Sequence, residues 1–169
     1  GRVRVLNLTT GTSELALTVE DVRAEGEGGV LGMALDPDFA QTRLVYLYHT
    51  ATAGGRPVNR VVRYREVSNR LVERVVLIDD IPASAIHDGG RLRFGPDNLL
   101  YITAGDAANT SLAQDLASLA GKILRLNRDG TTPRDNPFAS PVYSWGHRNP
   151  QGLDWHPGSG DLWASEHGN

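Results

Sequence analysis

The stretch HDGGRLRFGPDNLLYITAGD, residues 87–106, decides the fold, because its central part recurs along the chain. GGRLRFGPDN at 89–98 resembles GGVLGMALDPDF at 28–39 and, more loosely, NPQGLDWHPGSG at 149–160. The prolines of the three copies are 59 and 61 residues apart: Pro37, Pro96 and Pro157. Self-similarity at a fixed period indicates a repeat architecture.

A second landmark repeats with nearly the same period. The short runs VRV at 3–5, VRY at 62–64 and LRL at 124–126 begin 59 and 62 residues apart. Each period holds about four short strands, which is the content of one β-propeller blade. A β-sandwich with chance similarity is the alternative, but two independent landmarks sharing one period favour the propeller.

The residue pattern of the whole chain is that of an all-β protein. Glycine and proline number 19 and 9, and apolar residues fall in short alternating or β-branched runs between turn residues. The clearest predicted strands are 2–8, 44–50, 60–67, 70–78, 99–105 and 121–127. One helix is predicted over 111–121, with Ser111 as its cap and Gly121 as its stop.

The phase of the repeat predicts the domain organisation. Residues 1–169 form a partial propeller in which 1–20 end one blade, 29–81 and 89–145 are whole blades, and 150–169 begin another. Propellers have about 4–8 blades, so about three blade-equivalents do not close a ring. We therefore expect either a piece of a longer chain, with the remainder completing the ring, or two copies joined as a homodimer.

Composition excludes several classes of protein. A formal charge of −3 and scattered arginines provide no basic surface for nucleic acid. The absence of cysteine excludes disulfides and thiolate metal sites. No apolar run approaches the ~20 residues of a membrane-spanning helix. We expect an exported protein, periplasmic or secreted, whose leader lies outside these residues.

Four long motifs resemble one known family. They are GEGGVLGMALDPDF at 26–39, HDGGRLRFGPDNLLYITAGD at 87–106, SLAGKILRLNRDGTTPRDNPF at 118–138 and GHRNPQGLDWHPGSGDLWASEHG at 146–168. In this order they are similar to the soluble quinoprotein glucose/sorbosone dehydrogenases, which are pyrroloquinoline quinone (PQQ)-dependent aldose sugar dehydrogenases. The resemblance implies a six-bladed β-propeller of about twice this length. It also implies oxidation of an aldose to a lactone at its anomeric carbon, with hydride passing to PQQ and Ca²⁺ polarising the quinone.

His87 is the first candidate for chemistry. Removing a proton from a sugar hydroxyl needs a base that titrates near neutral pH, and imidazole meets this need. Asp106 ends the following pair of strands, so a short antiparallel turn can bring it to His87. The resemblance implies that His87 is the catalytic base and also contacts the cofactor, and that Asp106 orients its ring. From the residues alone, a hydrogen-bonded turn histidine and a loop aspartate remain the alternative.

Arg148 and Asn149 lie between Gly146 and Pro150 in a tight polar loop. An arginine can pair with a carboxylate of PQQ, or with the oxygen that becomes anionic as hydride arrives, so a catalytic role is expected for Arg148. The resemblance assigns both Arg148 and Asn149 to cofactor binding. A surface charge in a turn is the alternative for Arg148.

GEGGVLG at 26–32 is no dinucleotide motif, because Leu31 occupies the position of its third glycine and a strand follows. By resemblance, Glu27 lines the substrate and quinone site; a solvated loop acid is the alternative.

The last residues, SEHGN at 165–169, are the candidate metal segment. Ca²⁺ prefers oxygen ligands and often binds backbone carbonyls. The resemblance assigns the carbonyls of Gly168 and of the next residue, Asn169, to calcium, although the family usually has proline at the latter position. Glu166-His167 is no zinc motif, because the second histidine is missing.

Three functions follow from these observations. The first is a PQQ- and Ca²⁺-dependent aldose dehydrogenase that acts on a small sugar and passes electrons to an undetermined acceptor. The second is a non-catalytic propeller that serves as a binding module, since fold alone does not determine chemistry. The third is a calcium-dependent propeller lactonase without quinone. The combination of His87, Asp106, Arg148 and Asn149 favours the dehydrogenase.

Overall fold

A computed structural model describes residues 1–168 as twelve strands and two short helices. The first six strands are β1 (Arg2–Leu6), β2 (Ser13–Thr18), β3 (Val30–Leu35), β4 (Leu44–Ala53), β5 (Arg56–Val67) and β6 (Arg70–Pro82). The other six are β7 (Leu92–Phe94), β8 (Leu100–Ala104), β9 (Lys122–Leu126), β10 (Val142–Trp145), β11 (Pro150–Trp155) and β12 (Leu162–Glu166). The helices are α1 (Phe39–Thr42) and α2 (Thr110–Gln114).

The strands form antiparallel sheets whose strands follow one another in chain order. β3–β6 make one four-stranded sheet, β7–β10 make a second, and β1–β2 and β11–β12 are two-stranded. Such four-stranded meanders are the blades of a β-propeller. The predicted all-β, partial propeller fold is therefore confirmed. The two complete sheets run over 30–82 and 92–145, beside the predicted blade ranges of 29–81 and 89–145.

The largest apolar cluster lies between the two four-stranded sheets. Its buried members come from both sheets: Tyr46, Tyr48, Val61, Ile81, Leu92, Leu100, Ile102, Ala104, Leu124, Leu126 and Val142. The rings of Tyr46 and Phe94 meet edge to face with their centroids 5.0 Å apart, the geometry that aromatic pairs prefer. Facing blades thus bury one another's side chains, as sheets in a propeller must.

The two-stranded sheets at the two ends of the chain also pack on their neighbouring blades through apolar side chains. Ala16 and Val19 join a cluster with Leu47 and Val62 of the first blade. At the other end of the chain, Leu153 of β11 packs with Tyr101 and Ile123 of the second blade. Four sheets therefore follow one another around an arc, each burying apolar side chains against the next.

The predicted helix over 111–121 is mostly wrong. The helix α2 ends at Gln114, and its cap is Asn109, whose side chain accepts the N–H of Ser111 at 3.2 Å. Ser111 therefore lies inside the helix and does not cap it. Neither helix among residues 1–168 is long and apolar enough to cross a membrane.

A buried lysine explains why this helix stops early. The ammonium group of Lys122 donates to the carbonyls of Leu112, Ala113 and Ala120 at 2.9, 3.0 and 2.6 Å. Two of these carbonyls belong to α2 and would otherwise accept bonds from a continuing helix. Because burial is costly for a charge without partners, the end of α2 and the loop 115–120 turn three carbonyls toward the Lys122 ammonium group.

Several connecting segments meet at one end of the sheets. Val30 pairs with His49 at the start of β3, and Ala104 pairs with Lys122 at the end of β8. At the same end of the last hairpin, Pro150 at the start of β11 pairs with Glu166. Hydrogen bonds then join the segments that flank these strand ends across sheets. Most of the sequence-predicted candidates lie in these segments.

The Gly32→Ala variant tests the contact between the two blades. An added Cβ at Gly32 would overlap the carbonyl oxygen of Gly90, which is backbone from the segment leading into the second blade. We expect the free energy of unfolding to fall by about 1–3 kcal/mol, the usual effect of overpacking, as measured by urea denaturation. Gly158→Ala is the control, since its nearest neighbour is a flexible side-chain atom of His156 at 3.3 Å. An equal loss in both variants would contradict the close packing inferred at Gly32.

Candidate active site

The side chains of His87 and Asp106 are hydrogen-bonded. Nδ1 of His87 lies 2.8 Å from Oδ1 of Asp106, and the two residues are only 7% and 1% exposed. His87 precedes β7 and Asp106 follows β8, and these two strands pair in antiparallel register. The structure thus brings together the two residues that the sequence singled out. Because a carboxylate accepts the bond, the neutral His87 ring carries its proton on Nδ1 and presents the lone pair of Nε2.

The backbone of His87 adopts an unusual conformation. Its φ angle is 63°, in the left-handed region that costs a residue other than glycine of order 1–3 kcal/mol and is common at functional sites. The amide of His87 donates to Oε2 of Glu27 at 2.8 Å, and its carbonyl accepts the amide of Ala107 at 3.3 Å. These bonds hold His87 in place from both sides of the peptide chain.

Glu27 lies at the site because its side chain accepts a hydrogen bond from the backbone of His87. One oxygen of its exposed carboxylate binds the His87 amide. The other oxygen, Oε1, makes no hydrogen bond within residues 1–168. Glu27 thus supports the backbone of His87 and retains one oxygen for a ligand.

Gly105 allows the close approach on which this geometry depends. A Cβ at this position would overlap the carbonyl oxygen of His87 and lie 3.0 Å from Oδ1 of Asn149. Any side chain at residue 105 would therefore separate the His87 turn from the loop that carries Asn149. The glycine before Asp106 has a structural reason that the sequence pattern alone does not reveal.

The loop of Arg148 and Asn149 is bonded to the same turn. The amide of Asp106 donates to the carbonyl of Arg148 at 2.7 Å. Oδ1 of Asn149 accepts the amide of Gly89 at 3.0 Å and the side-chain amide of Gln151 at 3.1 Å. With its oxygen occupied on both sides, buried Asn149 has only its NH₂ group left for a ligand.

The guanidinium of Arg148 points to the candidate metal segment. Its Nη1 donates to the carbonyl of His167 at 2.8 Å, next to Gly168 in the chain. Asn169 lies outside the described residues. Within 1–168, no three His, Asp or Glu side chains converge as metal ligands.

Glu166 is a site residue that the sequence analysis did not assign. Its Oε2 lies 3.0 Å from Nδ1 of His147, and its Oε1 accepts the amide of Arg148. Burial alone would raise the pKa of the Glu166 carboxyl, but the hydrogen bonds from His147 and from backbone amides outweigh it, so the pKa is lowered. Glu166 is therefore a carboxylate at neutral pH.

Asp88 is the second residue that was missed. Its Oδ1 accepts the side-chain amide of Asn59 at 2.9 Å and the backbone amide of Ser84 at 3.2 Å, and its carbonyl accepts the hydroxyl of Tyr48 at 2.8 Å. Its Oδ2 is buried and has no hydrogen-bond partner within residues 1–168. Burial raises the pKa of Asp88, although the bonds from Asn59 and Ser84 oppose this.

No sequence signal distinguishes Asp88 from a turn aspartate. Its partner Asn59 lies on β5 of the neighbouring blade, 29 residues earlier in the chain. Glu166 was noted only as half of an absent zinc motif. The one local signal for Glu166 is its place at the end of β12, directly before the segment that carries Gly168.

The fold and the site together define a β-propeller with a histidine–aspartate pair, an arginine and an asparagine at one end of its blades. Comparison with known proteins agrees with this description of the fold and site. The family model for glucose/sorbosone dehydrogenase matches residues 1–169, and the chain belongs to this family.

Relatives with known names support this assignment. The chain is 35% identical to aldose sugar dehydrogenase YliI of Escherichia coli (strain K12), over 99% of this chain and 48% of the relative. It is 33% identical to quinoprotein glucose dehydrogenase B of Acinetobacter calcoaceticus, over 99% of this chain and 42% of the relative. The chain spans about half the length of the relatives that it matches.

A solved structure shows the same backbone arrangement. The chain superposes on the PQQ-bound form of an aldose sugar dehydrogenase from Streptomyces coelicolor with a TM-score of 0.92 and 41% identity. The match covers 99% of this chain and 51% of that one. The fold of the described residues is thus that of one half of such an enzyme.

The pKa of Asp88 predicts a pH-dependent effect of the Asp88→Asn variant. The native state holds the Asp88 proton more tightly than the unfolded state, so wild-type stability falls as pH rises from the ordinary value of 3.8 through the raised pKa. Asparagine keeps the acceptor for Asn59 and carries no charge. We expect the unfolding free energy of Asp88→Asn, relative to wild type, to increase with pH.

Urea denaturation between about pH 3 and about pH 8 measures this difference. Asp154→Asn removes an exposed carboxylate of β11 and is the control for the loss of one negative charge. A difference between Asp88→Asn and wild type that stays constant over the whole range would contradict the raised pKa.

Proposed function

We propose that the protein containing this chain is a quinoprotein oxidoreductase that oxidises aldose sugars at the anomeric carbon to lactones. PQQ would supply the acceptor for the hydride, and Ca²⁺ would polarise the quinone. Family membership supports a sugar oxidoreductase, and the quinone is supported by the names of the relatives from Acinetobacter calcoaceticus and Streptomyces coelicolor.

The observation that carries the proposal is the buried His87–Asp106 hydrogen bond of 2.8 Å. It leaves Nε2 of His87 without a hydrogen bond inside residues 1–168 and able to accept a proton. His49 also pairs one ring nitrogen with a carboxylate, that of Asp21, but its other ring nitrogen is fully buried. The His87 side chain is 9% exposed, and its Nε2 is not among the buried atoms that lack a partner, so a ligand can reach it. The pairing of a base with an orienting carboxylate is the arrangement that general-base catalysis requires.

The donors of the Arg148–Asn149 loop, which is hydrogen-bonded to the segments that flank β7 and β8, fit a group with several anionic oxygens. Arg148 offers a guanidinium, and Asn149 offers the NH₂ group that its own contacts leave free. PQQ carries three carboxylates and a quinone, so charge-assisted bonds from an arginine suit it. Glu27, through its second oxygen, is assigned to the edge of the same site, where sugar hydroxyls can donate to it.

Calcium is assigned to the carbonyl of Gly168 and that of Asn169. Calcium takes oxygen ligands, including backbone carbonyls. The carbonyl of His167 is already bonded to Arg148, which places the guanidinium beside the proposed metal segment. This neighbourhood would let Arg148 and a calcium ion act on the same bound quinone.

In the proposed reaction, the residues of this chain remove the proton of the sugar O1 hydroxyl. As the anomeric C–H bond breaks and its electron pair leaves with hydrogen, the O1–H proton must also leave to form the lactone carbonyl. Nε2 of His87 accepts that proton, and Asp106 stabilises the imidazolium through Nδ1–H. The guanidinium of Arg148 would hold an oxygen of the quinone and would stabilise negative charge at that oxygen.

We also propose that the protein is exported to the periplasm or secreted, and that further blades complete the ring. The half-length match to the relatives supports the second point. A second copy of this chain is the other way to supply the missing sheets.

Reconstitution with PQQ and Ca²⁺, followed by dye reduction on addition of an aldose, tests the proposed function. The assay is run on this chain and on the longest natural protein that contains it. Aldose-dependent reduction that requires both cofactors is expected from the longer protein. Quinone binding without turnover would favour the binding module, and lactone hydrolysis with calcium alone would favour the lactonase; either result would overturn the proposal.

The His87→Ala variant tests the base. We expect kcat to fall by at least about 100-fold, since a general base typically contributes this much or more. PQQ binding, measured by the change in quinone absorbance, should stay close to that of wild type. His156→Ala is the matched control, because His156 only accepts amides within the turn between β11 and β12. Turnover near the wild-type value in His87→Ala would remove His87 from the mechanism.

A further inference from the structure

A chain of three side chains lies behind the Arg148–Asn149 loop. The hydroxyl of Ser144, on β10, lies 2.8 Å from Nε2 of His147. Nδ1 of His147 lies 3.0 Å from Oε2 of Glu166, at the end of β12. The second oxygen of Glu166 accepts the backbone amide of Arg148. One carboxylate therefore binds two successive residues of the loop.

These contacts allow only one arrangement of protons when His147 is neutral. The Glu166 carboxylate has no proton to donate, so Nδ1 of His147 carries hydrogen and donates to it. Nε2 then accepts from the Ser144 hydroxyl. Every donor meets an acceptor, and the side chains of His147 and Glu166 are only 18% and 33% exposed.

The hydrogen-bonded side chains of Ser144, His147 and Glu166, here called the relay, lie where they can orient Arg148 and Asn149, the residues assigned to cofactor binding. The carbonyls of Arg148 and Asn149 are bonded to the amides of Asp106 and His167, at 2.7 and 3.0 Å. Among the described contacts, Glu166 provides the side-chain acceptor that fixes the Arg148 amide. Without it, the peptide that carries the guanidinium would lose one of its restraints.

We propose that Glu166, supported by His147 and Ser144, is a positioning residue that holds Arg148 and Asn149 in their binding geometry for the quinone. The inference rests on the proposed function for the identity of the ligand. Glu166 is assigned no contact with substrate or cofactor and acts through the Arg148 backbone.

The same three residue types also form the triad of serine hydrolases. A hydrolase needs backbone amides that are free to stabilise an oxyanion. The amides of this loop are occupied: Gly146 donates to Ala113 at 3.0 Å, His147 donates to Gly121 at 3.1 Å, and Arg148 donates to Glu166. The geometry therefore favours positioning over hydrolysis.

Nuclear magnetic resonance of this chain tests the relay without any cofactor. The ¹⁵N shifts of the His147 ring in the wild-type chain should show a protonated Nδ1 and a bare Nε2. Amide hydrogen exchange should be at least about tenfold faster at Arg148 in Glu166→Ala, the loss expected for a bond to a charged group. The amide of Leu153, in β11, should exchange as in wild type.

Two further variants sharpen the test. Glu166→Gln keeps one acceptor and loses the other, so Arg148 exchange should lie between wild type and Glu166→Ala. Asp154→Asn, an exposed acid of the same hairpin, is the control and should leave Arg148 exchange unchanged. Three results would each overturn the inference. The first is the opposite His147 tautomer, and the second is equal acceleration of exchange at Leu153 and Arg148 in both Glu166 variants. The third is labelling of Ser144 by a fluorophosphonate probe.

Binding of PQQ to the longer natural protein supplies the functional readout. Glu166→Ala should weaken binding by about tenfold or more, with Glu166→Gln recovering part of the loss. Failure of the wild-type protein to bind PQQ would refute the proposed function, while the exchange data would still decide the role of Glu166. Unchanged PQQ affinity in Glu166→Ala would refute the positioning role alone.

Discussion

Apolar packing between facing sheets is the constraint on which the rest of the structure depends. A four-stranded sheet with buried residues such as Leu124 and Ile102 has to cover them, and here the neighbouring blade does so. The contact sets how far apart the strand ends of successive blades lie. The loops that extend from those ends therefore meet at fixed distances, and the polar groups of the site occupy these loops.

The site is held together by hydrogen bonds that cross between sheets. Asp88 binds Asn59 of the preceding blade, and Glu27 binds the His87 amide from 60 residues earlier in the chain. On the other side, Arg148 receives the Asp106 amide. The His87 turn is thus restrained from both neighbours, which explains how a strained backbone conformation persists there.

The sequence predicted much of the fold and a part of the site. The 59- to 62-residue repeat identified the blade as the structural unit, and the six predicted strands overlap β1, β4, β5, β6, β8 and β9. The helix prediction failed because the buried amine of Lys122 takes carbonyls that a longer helix would have used. His87 and Asp106 were predicted as a pair because a single strand hairpin separates them, and a hairpin brings its ends together.

Local pattern by itself determined the blades and their turns, since each depends on spacing within one repeat, and it made a contact between His87 and Asp106 possible without deciding it. Only the tertiary structure decided the rest. Glu166 and Ser144 meet through His147 from different sheets, and Asp88 turns its carboxyl toward the preceding blade instead of toward Asp106. Such contacts depend on how the ends of separate sheets are brought together and on which way each side chain points. Alternation and periodicity along the chain do not carry that information.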